Sequence, residues 1–537
     1  MAERRSLASY LLLVSIILGW LFDFLFWNKA WGISFPIFIA LCLGAGFWMA
    51  RRGGVRIGRQ SLWLLLPIAF FALATVFRRE PLSAFLSHSL TLLLMGILAV
   101  SFISGRWLNY GVADYLSKLG SFFFDGLFTY RKKMREAEHS KGEGSLPFKR
   151  ISPIGRGLLI ALPILLILGA LLASADPIFA NWLEDIFAFA LLENMVQSLW
   201  RIVLIVIVAY ILMGAYAYAF WRSRDEKLIG EDKALIAPFI GYVESLTVLI
   251  SVEVLFAIFV SVQLRYFFGG AQNINLAGYT YAEYARRGFG ELVMVAVLSI
   301  GLFALLSSFG RREEGSQRRW FSRLGVALFA LVSIILVSAY QRLLLYEGAY
   351  GFTPTRIHVH AFMIWLGIYL ITLVILEIRG QWRAFAPATL LVAIGFAASL
   401  NTLNVEATIV RANAERLRAS GRLDIAHLSS LSNDAAPPLV EEINASLAQE
   451  DERSARQLLA ALGCHAMKSA QYPAPAAWQS ITLTQRRASQ AWTDFRGSEA
   501  FERLELPASE DWERWEAFSV RVDGVEYDCW ESIATAD

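Results

Sequence analysis

QSLWRIVLIVIVAYILMGAYAYAFW, from Gln197 to Trp221, contains 25 residues and a single charge, Arg201. A bilayer core about 30 Å thick is crossed by roughly 20 apolar residues in a helix, so this stretch reads as a transmembrane span. Runs of the same kind recur on both sides of it, near 8–26, 33–50, 61–77, 84–105, 157–174, 237–266, 290–309, 324–346, 359–378 and 385–401, which makes eleven in all. Gly32, Gly44 and Gly46 interrupt the second and Pro387 the last, as membrane helices tolerate when neighbours satisfy the freed backbone groups. Of the 537 residues, 56% are hydrophobic and 18% charged, with a mean hydropathy of +0.48. A soluble chain carries about a quarter charged residues, so an ordinary cytosolic enzyme is excluded. Arg4 and Arg5 precede the first apolar run as in a signal peptide, but no small-x-small cleavage site follows. The run reads as an uncleaved first helix.

Charge placement orients the spans. With the N-terminus inside, the inside segments hold 27 Lys and Arg residues and the outside connections eight: Lys29, Arg78, Arg79, Arg265, Arg286, Arg287, Arg342 and Arg356. This is the bias of the positive-inside rule, and the RKKMR run from Arg131 to Arg135 is its strongest member. The chain divides into four N-terminal spans (1–105), a basic cytoplasmic loop (106–156), a seven-helix membrane core (157–401) and an acidic extracytoplasmic tail (402–537). The tail has 13 Lys and Arg residues against 22 Asp and Glu. Its apolar residues recur at helical spacing in Ala407-Ile409-Val410 and Leu458-Leu459-Leu462. Ser432 or Asp434, followed by Pro437-Pro438 and Glu441, reads as a helix start. FSVRVDGVEYDCW, Phe518 to Trp530, alternates around Asp523-Gly524 and predicts a hairpin. The expected fold is therefore an all-α integral membrane protein with a small, mainly helical soluble C-terminal domain. In an oxidising compartment Cys464 and Cys529 can pair.

Ionisable residues within spans point to function. Glu253 falls near the middle of the seventh span, and Glu244, Thr247 and Ser251 form a polar stripe on the same helix, directed toward other helices. Glu244 and Glu253 are nine residues apart, two and a half turns, and so do not form a dyad. Asp23, His88, Arg201, Gln263, Arg265, Gln341, Arg342, His358 and His360 all map to the outer leaflet. With Asp176, Glu184, Asp185 and Glu193 of an outer loop, they either line an outward-open cavity or are polar groups tolerated near water. His358 and His360 point about 200° apart on a helix, and no third ligand accompanies them, so no metal is expected. No Walker loop, dinucleotide fingerprint or nucleophile elbow is present. No cofactor and no nucleic-acid partner are expected; the lipid bilayer is the one certain surrounding.

Two outer connections carry the most distinctive residues. YTYAEYARRGFGELV, Tyr279 to Val293, places Glu283 before Arg286 and Arg287 at ion-pairing helical spacing. Tyr281 and its aromatic neighbours suit a helix lying at the membrane interface. The corner YEGAYGFTPTR contains Tyr346, Glu347, Tyr350, Gly351, Thr353 and Arg356.

With ADPIF at Ala175 to Phe179, FMIWL, NVEATIVRANAERL and HLSSLSNDAAPPL, these stretches resemble a bacterial family of polytopic membrane proteins of unknown function, the domain-of-unknown-function family four-one-seven-three. The likeness covers about residues 150 to 440, and the residues after about 445 depart from it. It implies an integral protein of the bacterial cytoplasmic membrane with no activity to carry over. The residues favour a non-enzymatic envelope sensor or assembly partner acting through the outer connections and tail. Two other readings stand beside it: a secondary transporter with Glu253 as proton or cation site, and a lipid-linked transferase with Tyr281, Glu283, Arg286, Arg342 and Arg356 around an anionic substrate.

Overall fold

The computed structural model describes residues 2–121, scattered positions between 168 and 179, and residues 190–224, 228, 239–268, 289–311, 315–470, 477–507 and 519–530. Ten helices precede the tail: α1 (Ala2–Phe26), α2 (Ser34–Arg52), α3 (Leu65–Phe77), α4 (Pro81–Ser101), α5 (Ala190–Trp221), α6 (Tyr242–Phe268), α7 (Phe289–Phe309), α8 (Ser316–Tyr350), α9 (Pro354–Arg379) and α10 (Phe385–Leu403). Among the described residues, eight segments are long and apolar enough to cross a membrane, and Tyr10–Phe26 and Ser61–Phe77 are shorter apolar helices. The expected span at 157–174 lies almost wholly outside the described residues. The helices keep large apolar side chains on their outer faces, as at Ile16 and Trp20 of α1, Ile202 and Val206 of α5, and Ile364, Ile371 and Ile378 of α9. In water such faces would be a liability; toward lipid they are the favourable arrangement.

The bundle has two apolar cores. Leu11, Leu18, Phe71, Leu94 and Phe220 tie α1 to α5, while Leu249, Phe303, Leu328 and Leu370 tie α6 to α9. Helices α1 and α5 cross closely where a side chain on Gly19 would strike Ile205 O and Ala209. Small residues permit that approach in membrane helices, where packing replaces the hydrophobic drive. At one end of the bundle the connections hold each other: Gly58 N donates to Phe102 O (2.9 Å), Ser61 Oγ to Ser101 O (2.6 Å) and Ser104 N to Ser223 O (3.1 Å).

The tail docks at the opposite end. Asn404, in the left-handed conformation (φ 48°), separates α10 from α11 (Val405–Ser420), and its side chain caps α11 at Ala407 N. Then follow α12 (Ile425–Ser429), α13 (Ala436–Ala448), α14 (Glu452–Ala470), α15 (Leu483–Arg496), the single turn α16 (Glu499–Glu502), and strands β1 (Leu504–Glu505), β2 (Ser519–Val522) and β3 (Val525–Asp528). The sheet is antiparallel in the order β1-β2-β3, with Leu504 opposite Val522 and Val520 opposite Tyr527. Asp523 and Gly524 turn the β2–β3 hairpin with φ values of 51° and 77°, as a two-residue turn requires. The first strand of this sheet has no counterpart in the sequence reading, because two residues are too few to show alternation. Cys464 of α14 is bonded to Cys529, 65 residues away, just beyond β3.

Candidate functional site

The tail and the bundle meet at a joint built from four segments. The connection before α4 supplies Arg78, Arg79 and Glu80; the start of α9 supplies His358; α11 supplies Glu406; and the turn before α13 supplies Ser432 and Asp434. Glu80 precedes Pro81 and caps α4, accepting from Leu82 N (3.0 Å) and Ser83 N (2.7 Å). That is the expected use of a carboxylate at a helix start. His358 Nε2 stands 3.1 Å from Glu80 Oε1, at ion-pairing distance. Glu406 accepts from Ser432 N (2.8 Å) and Ser432 Oγ (2.7 Å), and Asp434 accepts from Arg79 N (2.9 Å). Nearby, Arg78 Nε donates to Asn401 O (2.8 Å), and Ser87 Oγ to Asn401 Oδ1 (3.3 Å).

All three acids are enclosed: Glu80 is 3%, Glu406 2% and Asp434 7% exposed. Burial disfavours their charged forms, with different outcomes. For Glu80, burial is outweighed by His358, Ser83 and Leu82, which hold the carboxyl down to about 2. For Glu406, burial prevails, reinforced by the like charges of Asp434 and Glu80, and pushes the carboxyl up to about 7. Asp434 is raised by burial against the Arg79 amide and the Arg78 charge. A second contact between corner and tail is reciprocal: Asn413 Nδ2 donates to Phe352 O (2.9 Å) and Phe352 N to Asn413 Oδ1 (3.2 Å). Among the described residues no group of three His, Cys, Asp or Glu side chains is placed to hold a metal ion.

Several of the other polar residues expected at the outer leaflet are drawn into separate pairs. Asp23 of α1 takes a forked bond from Arg201 of α5, with Nη2 to Oδ2 at 2.6 Å and Nε to Oδ1 at 3.2 Å. Gln263 Oε1 accepts from Arg342 Nη2 (2.9 Å) and Ser338 Oγ (3.2 Å), joining α6 to α8. Glu347 and His360 meet at 2.6 Å across the α8–α9 corner. His358 and His360 thus reach different carboxylates, as their opposed directions require. His88 packs on the rings of Trp31 and Phe35. Arg356 Nη1 donates to Gly351 O within its own corner. Tyr350 closes α8, ahead of the positive-φ Gly351.

Glu253 is half-buried in α6, and its Oε1 has no hydrogen-bond partner among the described residues. A groove lined by Val254, Ala257, Ile258, Ser261 and Val262 runs along the same helix. Glu244 accepts from Gly241 N (2.7 Å) as a helix-start cap. Glu244, Thr247 and Ser251 are exposed, where the sequence reading turned them toward other helices. Asp176 of the ADPIF stretch accepts from Ile178 N (2.8 Å). Tyr281, Glu283, Arg286 and Arg287 lie outside the described residues, as do Glu184, Asp185 and the side chains of Glu193 and Arg265.

The sequence reading missed Glu80 and Glu406 and treated Asp434 only as a helix-start signal. Glu406 had left a trace: it shares the stripe of Ile409, Val410, Asn413 and Leu417, at spacings of three, four, seven and eleven, all buried. An acid on an apolar stripe is a sign of a buried polar contact.

A family model described as Domain of unknown function (DUF4153) matches residues 65–442. It carries a different number from the family named on the motifs, and agrees with it in being a family of unknown function. Its span takes in all four segments of the joint. No curated protein and no solved structure matches the chain.

Proposed function

The chain belongs to the DUF4153 family, and from its own geometry we propose that it is a non-enzymatic protein of the bacterial cytoplasmic membrane, acting as an envelope sensor or assembly partner. In this reading the N-terminus is cytoplasmic and the tail, outside the cell membrane, is the surface that meets a second envelope protein. One observation carries it. The stretches that distinguish the sequence, YEGAYGFTPTR, NVEATIVRAN and the Ser432–Asp434 turn, converge on a joint that locks tail to bundle. Burying three acids there is costly, and a tail that served only as a passive extension would not need them. The cystine between Cys464 and Cys529 supports an oxidising location.

The test uses intact cells. Ser489 is exposed on α15, so Ser489→Cys gives a handle on the tail surface. Labelling of this cysteine by a membrane-impermeant maleimide from outside the cytoplasmic membrane, and cross-linking from it to a defined envelope protein, is the expected result. Labelling from the cytoplasmic side alone would overturn both topology and role. A second reading, a secondary transporter, draws on the half-buried Glu253 and its unbonded oxygen. It predicts that Glu253→Gln abolishes complementation of a deletion strain, and full rescue removes its support.

A further inference from the structure

We infer that Glu80, Glu406 and Asp434 make the joint a proton-responsive clasp, in which the enclosed Glu406 favours closure in mildly acidic and opposes it in alkaline surroundings, a regulation that rests on the docked-tail reading above. The geometry is that of an interface between two bodies. Glu406 belongs to the tail and Glu80 to the bundle, while Asp434, from the tail, is held by a backbone amide of the bundle connection. Glu80 is therefore brought beside the two tail acids only when the tail is seated. The surroundings do not neutralise them all. Arg78 donates to Asn401 O and its charge acts on Asp434, Arg79 contributes its amide, and His358 is directed to Glu80. From α14, His465 donates to Ser432 O (3.1 Å), and Lys468 is bonded to Ser429 and Cys529 O. From α15, Thr484 lies against Asp434, and its hydroxyl has no well-formed hydrogen bond among the described residues. Among the described residues, Glu406 thus receives two bonds from Ser432 and no cation.

The direction follows from linkage. Glu406 titrates at about 7 in the seated joint against an ordinary 4.5. Between those values the closed joint holds a proton that the open one lacks, so closure weakens as pH rises through this window and stays weak above it. Asp434, also raised, acts in the same sense. Glu80 acts oppositely: its contribution is present above 4.5 and is lost as pH falls toward 2, which leaves it constant near neutrality. His427 and His465 are lowered from 6.5 by burial. They favour the closed, uncharged arrangement above 6.5 and oppose it in acid.

Hydrogen–deuterium exchange of the full chain in detergent micelles, corrected for intrinsic rates, reads opening of the segments around Glu80, Glu406 and Asp434. Between pH 6 and 8, Glu406 alone raises the opening equilibrium about tenfold. The wild type should therefore show a rise about tenfold larger than Glu406→Gln, in which both histidines are retained and the Ser432 bonds can persist. The hairpin amides of β2 and β3 should not change. Equal pH dependence in wild type and Glu406→Gln would overturn the inference. Should Glu406→Gln fail to assemble, Asp434→Asn provides the same comparison, with a reduced pH dependence expected and an undiminished one overturning it. No partner is present in this measurement, so its failure leaves the cross-linking outcome intact, and the reverse also holds.

Discussion

Asn413 shows how a single side chain can hold two parts of the molecule in register. Its amide both donates to and accepts from the backbone of Phe352, as one more strand residue would. Asn413→Ala leaves the half-buried Phe352 N–H and C=O without partners, and should cost about 1–3 kcal/mol in equilibrium unfolding of the tail. Asn413→Asp keeps the acceptor but sets a carboxylate against Phe352 O in an enclosed site, and should cost at least as much as Asn413→Ala. Gly351, next to that contact, has φ 78° and ψ −171°, a region that is essentially reserved for glycine. A methyl group there would also lie 2.8 Å from Asn413 Oδ1. Gly351→Ala should therefore destabilise by about 1–3 kcal/mol, seen as a lowered Tm in the same micelles, and a neutral result would mean that the corner rearranges freely.

At the scale of elements, two ties join segments distant in sequence. The cystine closes a loop of 65 residues, for which chain entropy gives about 4 kcal/mol. Cys464→Ser should lower tail stability by roughly that amount in denaturant titration, while leaving helical circular dichroism of the bundle unchanged. Helices α1 and α5 are pinned by Asp23 and Arg201. Polar contacts between membrane helices contribute only about 0.6–2 kcal/mol, so Asp23→Ala should shift the Tm modestly, and Asp23→Asn less. The hairpin at Asp523-Gly524 and the break at Asn404 are local events, set by residues that tolerate positive φ. For that reason the hairpin could be read from residue order, whereas the pairing of β1 with β2 depends on a return of the chain that no short window contains.

For the whole molecule, charge and apolar length supply the plan. The expected sidedness predicts that Arg56→Cys, exposed between α2 and α3, is labelled from the cytoplasmic face and Ser489→Cys from the other; labelling of both from one face would contradict it. Hydropathy has a period and a length, so the all-α, membrane-like architecture and the helices and hairpin of the acidic tail were legible in the sequence, as were the opposed directions of His358 and His360. The sequence could not say which polar group meets which. Asp23 and Arg201 are 178 residues apart, and Arg79 and Asp434 are 355 apart. Such pairs form because helices pack in three dimensions, and burial, which sets the charge of Glu406, is a property of the packed state. Residue order alone determined that this chain lies in a membrane and carries a folded tail; only the tertiary structure decided that the tail is seated on three enclosed acids, because enclosure needs partners from all four segments at once.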